Sequence, residues 1–312
     1  MKNVSLKFKG IVKVHPKHIK SLATNKAAGG QIAAGFEPRP DLDMQYLGGR
    51  TIPNLSFRSF YLGGAGWSDA DIQNIDSALS AAMSDPHLNN VMQQYFPDKD
   101  SITTNFLGSA KLSDPIKDVF TRDDVNPTLQ RLLDNGTLDG TDFDNTVICL
   151  FLPPGVILTT DAADGVGKLE LKGDTDLDSS EEGLGGYHGS CHLGDTRVYF
   201  AVGVYSEFRD GNPNGIPVWP DSWKNIVATF YHELNEARTD ADVEEAIRTN
   251  NEKLLGWYAD VDGGGEIGDI PMNEAGANLN LVMLEVPLVS GGSAPIQLMW
   301  SNDVHGPEGP FA

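Results

Sequence analysis

D-S-W-K-N-I-V-A-T-F-Y-H-E-L-N-E-A-R-T-D, residues Asp221 to Asp240, reads as one helix with chemistry on its polar side. Trp223, Ile226, Val227, Phe230, Leu234 and Ala237 recur at helical intervals; at about 100° per residue they fall in a stripe roughly 100° wide, expected to face the core. Thr229, His232, Glu233, Glu236 and Asp240 project together on another side, so an imidazole and three carboxylates share one ridge beside a cleft. His232 and Glu236, at i and i+4, are neighbours able to hold one ion. H-E-x-x-H zinc peptidases use this spacing, with two His as ligands and the Glu as general base. Here Glu236 stands in place of the second His, and carboxylate is an acceptable zinc ligand. A solvated acidic face on an ordinary helix would carry the same letters.

Composition sets the outer limits. The 312 residues are 40% hydrophobic and 8% aromatic, enough for a substantial core in one large or two ordinary domains. Asp plus Glu number 44 against 23 for Lys plus Arg, and the resulting charge of -21 repels nucleic acid and anionic membrane surfaces. Cys149 and Cys191 allow one bridge or two free thiols and define no disulfide framework. The first residues lack the continuous apolar core of a signal peptide, and no run of about 18 apolar residues spans a membrane.

Residues 1–50 are expected to give an alternating strand through Val4, Leu6 and Phe8 and then an irregular Gly, Ala and Pro-rich arm; residues 51–312 are expected to form a single domain. Ser56 to Leu62 predicts a strand. Ser68 then predicts an N-cap, with Asp71 three residues on, for a helix through Met83 whose buried face carries Ile72, Ile75, Leu79 and Met83. Short helices are expected over His87 to Tyr95 and Asn126 to Asn135, a central strand over Thr146 to Leu152, and a buried strand over Arg197 to Tyr205. Between the last two lies an acidic loop in which Asp174, Asp176 and Asp178 offer calcium ligands without a full helix-loop-helix signature.

Two Gly-rich passages flank the Asp221 helix. G-Y-H-G-S-C-H, expected as a loop, brings His188 and His192; G-W-Y-A-D-V-D-G-G-G-E-I-G-D brings Glu266 and Asp269, and Asp260, Asp262 and Glu266 suggest a second cation site. Together with F-Y-L-G-G-A-G-W-S-D-A-D-I-Q, C-L-F-L-P-P-G-V and I-Q-L-M-W-S-N, this ordered set resembles the phosphate-induced, or Exordium-like, family over roughly residues 55 to 302. The family pattern matches at His188, at His232, Glu233 and Glu236, and at Glu266 to Asp269. The Cys that often follows E-I-G-D is replaced by Ile270 and Pro271, which puts that family's disulfide in doubt. The resemblance implies secretion and supplies no reaction.

The residue types predict an α/β, zincin-like fold in which a twisted mixed sheet packs against the H-E-x-x-E helix, with long acidic and Gly-rich loops. The expected function is a zinc-dependent peptidase or amidase acting on a peptide or small amide. His232 and Glu236 would be ligands, His188 the third, and Glu266 or Asp269 the alternative third or a supporting partner. Glu233 would be the base acting on a metal-bound water, and Tyr187, Tyr231 or His192 would stabilise the oxyanion. The alternatives are an extracellular binding protein for polysaccharide or a protein partner, retaining a structural metal, and a calcium-stabilised secreted module.

Overall fold

Thr146–Phe151 is buried at all six positions, as a strand covered on both faces must be. It is the middle strand of a five-stranded sheet in the computed structural model, which describes residues 30–160, 179–261 and 264–309. We label the strands β1 (Asn54–Tyr61), β2 (Thr103–Lys111), β3 (Thr146–Phe151), β4 (Gly186–Leu193) and β5 (Thr196–Gly203). Their order is β2-β1-β3-β5-β4, parallel throughout except for β4, which runs antiparallel to β5 at one edge. The sheet is therefore mixed, and with six α-helices among the described residues the fold is mixed α/β.

Alternating side chains send the sheet's apolar residues to two cores. Phe57, Val147, Cys149, Phe151, Tyr199 and Ala201 face helices α1 (Asp69–Ser84), α2 (Pro86–Gln93) and α4 (Ser222–Thr239), and Phe60, Ile148, Leu150, Phe200 and Val202 face helix α3 (Val125–Asp134). Helices α5 (Val243–Thr249) and α6 (Asp269–Ala275) follow α4, and the hairpin of β6 (Met283–Pro287) and β7 (Ser293–Gln297) lies against α4. The caps follow the sequence: Ser68 Oγ accepts from Asp71 N at 3.0 Å, and Asp85 Oδ1 accepts from His87 N and Leu88 N at 2.9 and 3.2 Å.

Helix α4 differs from the expected one-sided helix. Every residue from Asn225 to Thr239 is buried except His232, which is partly so. The sheet takes one side, through Phe230 stacked on Phe151 at 3.7 Å between ring centroids, while α1 and the β6–β7 hairpin take the others. Gly203 allows the close approach, because a Cβ there would meet the Phe230 ring at 2.6 Å.

The passage containing His188 and His192, expected as a loop, is strand β4. Its glycines serve packing. A Cβ on Gly186 would lie 2.6 Å from Val202 O, and one on Gly189 would meet Glu244. Both cysteines are free, Cys149 in β3 and Cys191 in β4. Residues 30–50 run irregularly, yet Ala33 and Met44 join the main core, and Gln45–Tyr46 pairs with Trp257–Tyr258. The expected strand at Val4 to Phe8, the calcium candidates Asp174, Asp176 and Asp178, and Asp262 lie outside the described residues. No helix among the described residues is long and apolar enough to cross a membrane.

Candidate metal centre

Three segments carry ionisable groups to the His232 side of α4, the one partly exposed position in its buried stretch. Strand β4 supplies His188 from the sheet edge, α4 supplies His232, Glu233 and Glu236 from one turn, and α6 with the turn before it supplies Asp269 and Glu266. All six line one cavity of about 280 Å³. His188, Glu233, Glu236 and Glu266 are each at least 93% buried, since their exposures are 6, 3, 3 and 7%.

Glu236 is the hub. Its Oε1 accepts from the backbone N–H groups of Gly268 and Asp269 at 3.1 and 3.2 Å, which ties the α6 turn to α4. Its Oε2 is left for the imidazoles: His232 Nε2 lies 3.0 Å away and His188 Nδ1 3.5 Å. Asp269 Oδ1 adds to the His232 side at 3.7 Å, and Glu233 Oε2 to the His188 side at 3.4 Å.

Each ring is held from behind. His232 Nδ1 meets Gln297 Oε1 at 2.7 Å, and the Gln297 amide NH₂ donates to Gly268 O at 2.6 Å. That second bond fixes the amide orientation, so Oε1 faces the ring, Nδ1 carries a proton and Nε2 is the nitrogen aimed at Glu236, where an ion would displace its proton. His188 Nε2 meets the backbone oxygen of Asp240 at 3.2 Å and Glu266 Oε1 at 3.5 Å. Both are acceptors. They place the His188 proton on Nε2 and leave Nδ1 facing Glu233 and Glu236.

The electrostatics describe a cluster short of positive charge. Burial alone would depress both imidazoles, yet the surrounding carboxylates outweigh it and hold His188 and His232 well above their ordinary value. Burial pushes Glu233 up, and Glu266 and Asp269 well up; Glu236 goes the other way, to about 2, because His232 and His188 more than offset its burial. Glu266 Oε1 is buried without any hydrogen bond. Imidazoles with one ring nitrogen aimed into the cluster, carboxylates and an orphaned carboxylate oxygen are a donor set that fits a divalent cation.

The structure thus brings together His188, His232, Glu233, Glu236, Glu266 and Asp269, with Glu266 lying against the far edge of the His188 ring from Glu236. It separates others. Asp240, expected on the same ridge, is fully buried at the end of α4, where its carboxylate accepts from Gly256 N. His192 is exposed on β4, four residues and about 13 Å along the strand from His188. Tyr231 belongs to the core, and of the three oxyanion candidates only Tyr187 lines the cavity. Asp260 is exposed and so does not share the buried setting of Glu266. Gln297 had no role assigned from sequence, although a lone amide in S-A-P-I-Q-L-M-W, among buried neighbours, was a signal.

No family model and no curated protein matches the chain. Among solved structures, metalloproteinase-II from Bacteroides fragilis is similar at 13% identity with a TM-score of 0.26, over 57% of this chain and 53% of that one. The chain therefore spans about half the length of that protein, and the likeness is too slight to bear on fold or chemistry.

Proposed function

We propose that this protein is a metal-dependent hydrolase, a zinc peptidase or amidase with a zincin-like frame. The observation that carries the reading is the pair of histidines held from behind, by Gln297 and by Asp240 O with Glu266, so that each aims its other ring nitrogen at Glu236 Oε2. The sheet supports it too, since the antiparallel edge strand that carries His188 borders the cavity alongside the H-E-x-x-E helix. The resemblance to the phosphate-induced family extends the proposal to a secreted protein.

His232, Glu236 and Asp269 would hold the ion. A bound ion of this class polarises a carbonyl and makes water a stronger acid. Glu233 is the carboxylate beside it, and its burial, which raises its affinity for a proton, suits it to take one from attacking water and pass it to a leaving amine. The cavity, at about 280 Å³, fits a peptide segment or small amide and not a folded domain.

The test is hydrolysis of a peptide library by zinc-loaded protein. Glu233→Gln should abolish turnover while the ion at His232 and Glu236 stays bound. Turnover that survives Glu233→Gln, or protein that binds zinc and cleaves nothing, would count against the assignment.

A further inference from the structure

The donor atoms of the cavity divide into two groups that share a residue. His232, Glu236 and Asp269 form one, and His188, Glu233 and Glu236 the other; within each group the donor atoms all lie within 4.8 Å of one another. The two imidazoles fall in different groups. We propose that the centre binds two divalent transition-metal ions, one in each group, with Glu236 Oε2 as the bridge. The proposal rests on the metal-site reading above and adds the second ion to it.

Spacing supports it. For bonds of about 2.0–2.1 Å, ligand atoms around a tetrahedral ion sit about 3.3 Å apart. The separations are 3.0 and 3.7 Å in the His232 group and 3.4 and 3.5 Å in the His188 group. Glu236 Oε1 is engaged by two backbone N–H groups, so only Oε2 is free to bridge. Paired ions in hydrolytic centres lie about 3.5–4 Å apart, within reach of one shared oxygen.

Charge supports it independently. Five carboxylates line the cavity, Glu233, Glu236, Glu244, Glu266 and Asp269, against one guanidinium, Arg122. Arg122 is already paired with Glu244. With all four remaining carboxylates ionised and both rings neutral, as ligands must be, one divalent ion would cancel half of their charge and leave the rest in a buried site, which is a costly arrangement. Two ions would cancel all four. Each ring also has the backing of a ligand: Gln297 behind His232, and behind His188 the backbone oxygen of Asp240 with Glu266 Oε1, which is buried and has no hydrogen bond of its own. A single ion on the His232 side would give the His188 backing no purpose. Glu233 can serve both roles, holding the second ion through Oε2 and accepting a proton through Oε1.

Whole protein stripped with a chelator, reloaded with Zn2+ and freed of excess by gel filtration should carry two equivalents by elemental mass spectrometry. His188→Ala, with its circular dichroism unchanged, should carry one. Mn2+ loaded at two equivalents should give an exchange-coupled paramagnetic signal in place of six isolated lines, a readout that needs no variant. One equivalent in the unaltered protein overturns the second ion and leaves the hydrolase reading intact. Two equivalents that survive His188→Ala, or uncoupled Mn2+, put the second ion elsewhere and overturn it as well. His188→Ala with none would mean that both rings hold the same ion. No bound metal at all would overturn this proposal and the proposed function together.

Discussion

Replacing Gln297 with Leu removes an amide that is 97% buried, at 3% exposure, and joined at both ends, while keeping nearly its volume. At one end His232 Nδ1 loses the acceptor 2.7 Å away; at the other Gly268 O loses the donor 2.6 Å away. Freed from its acceptor, the imidazole can rotate or carry its proton on Nε2, the nitrogen aimed at Glu236. Losing the group behind a ligating histidine typically weakens metal binding 10–100-fold, which corresponds to about 1.4–2.8 kcal/mol. The unpaired Gly268 carbonyl should separately cost about 1–3 kcal/mol of stability. Competition for zinc against a chromophoric chelator measures the first loss, and urea denaturation of the metal-free protein the second. If stability falls while zinc affinity stays within twofold, Gln297 only braces the α6 turn and the account of His232 is wrong.

Other outcomes follow from the same contacts. The metal-free protein should lose stability as pH rises from about 4 to 8: burial raises the Asp240 carboxyl to about 8 against a low unfolded value, and raised Glu233, Glu266, Asp269, His188 and His232 act in the same direction, since a raised group stabilises while protonated. Glu236, lowered to about 2, opposes this only below its ordinary range; zinc displaces protons, so the thermal shift it confers should grow from pH 5 to 8, and a shift that shrinks would contradict the charge account. Asp85→Ala should cost about 1–3 kcal/mol in urea denaturation, because Asp85 caps α2 and its Oδ2 accepts from Val289 N at 2.7 Å. Arg238→Ala should cost roughly 3 kcal/mol, since this fully buried guanidinium donates to Asn89 Oδ1, Thr103 O and Thr104 Oγ1; zinc stoichiometry should not change, because these partners lie away from the cavity.

What could be read in advance was what local rules govern. The Ser68 cap, the apolar run of β3 and the spacing of His232 and Glu236 need only neighbours along the chain. Features set by distant partners were hidden. The sequence assigned no role to Asn225 and Arg238, yet Asn225 receives the Val218 and Trp219 N–H groups and Arg238 reaches β2. The glycines of β4 suggested a loop because their use, making room for Val202 O and Glu244, depends on other segments. Strand β2 and the β6–β7 hairpin went unread: β2 is half exposed along its length and alternates weakly. Gln297 became meaningful only once β7 lay beside His232.

The distances along the chain between groups that meet in the cavity have a consequence for how the protein comes to exist. His188 and Glu233 are 45 residues apart, and His232 and Gln297 are 65. Contacts of that span close late, after the loops between them have been brought to order. A chain paused during synthesis before β7 emerges would have the helix and both histidines yet lack the amide that aims His232. Metal capture would then report that folding is finished, and would lock it in: free ion at 100 times its dissociation constant adds about 2.7 kcal/mol to the folded state alone. On the proposed reading, metal scarcity would accordingly cost the protein stability as well as chemistry.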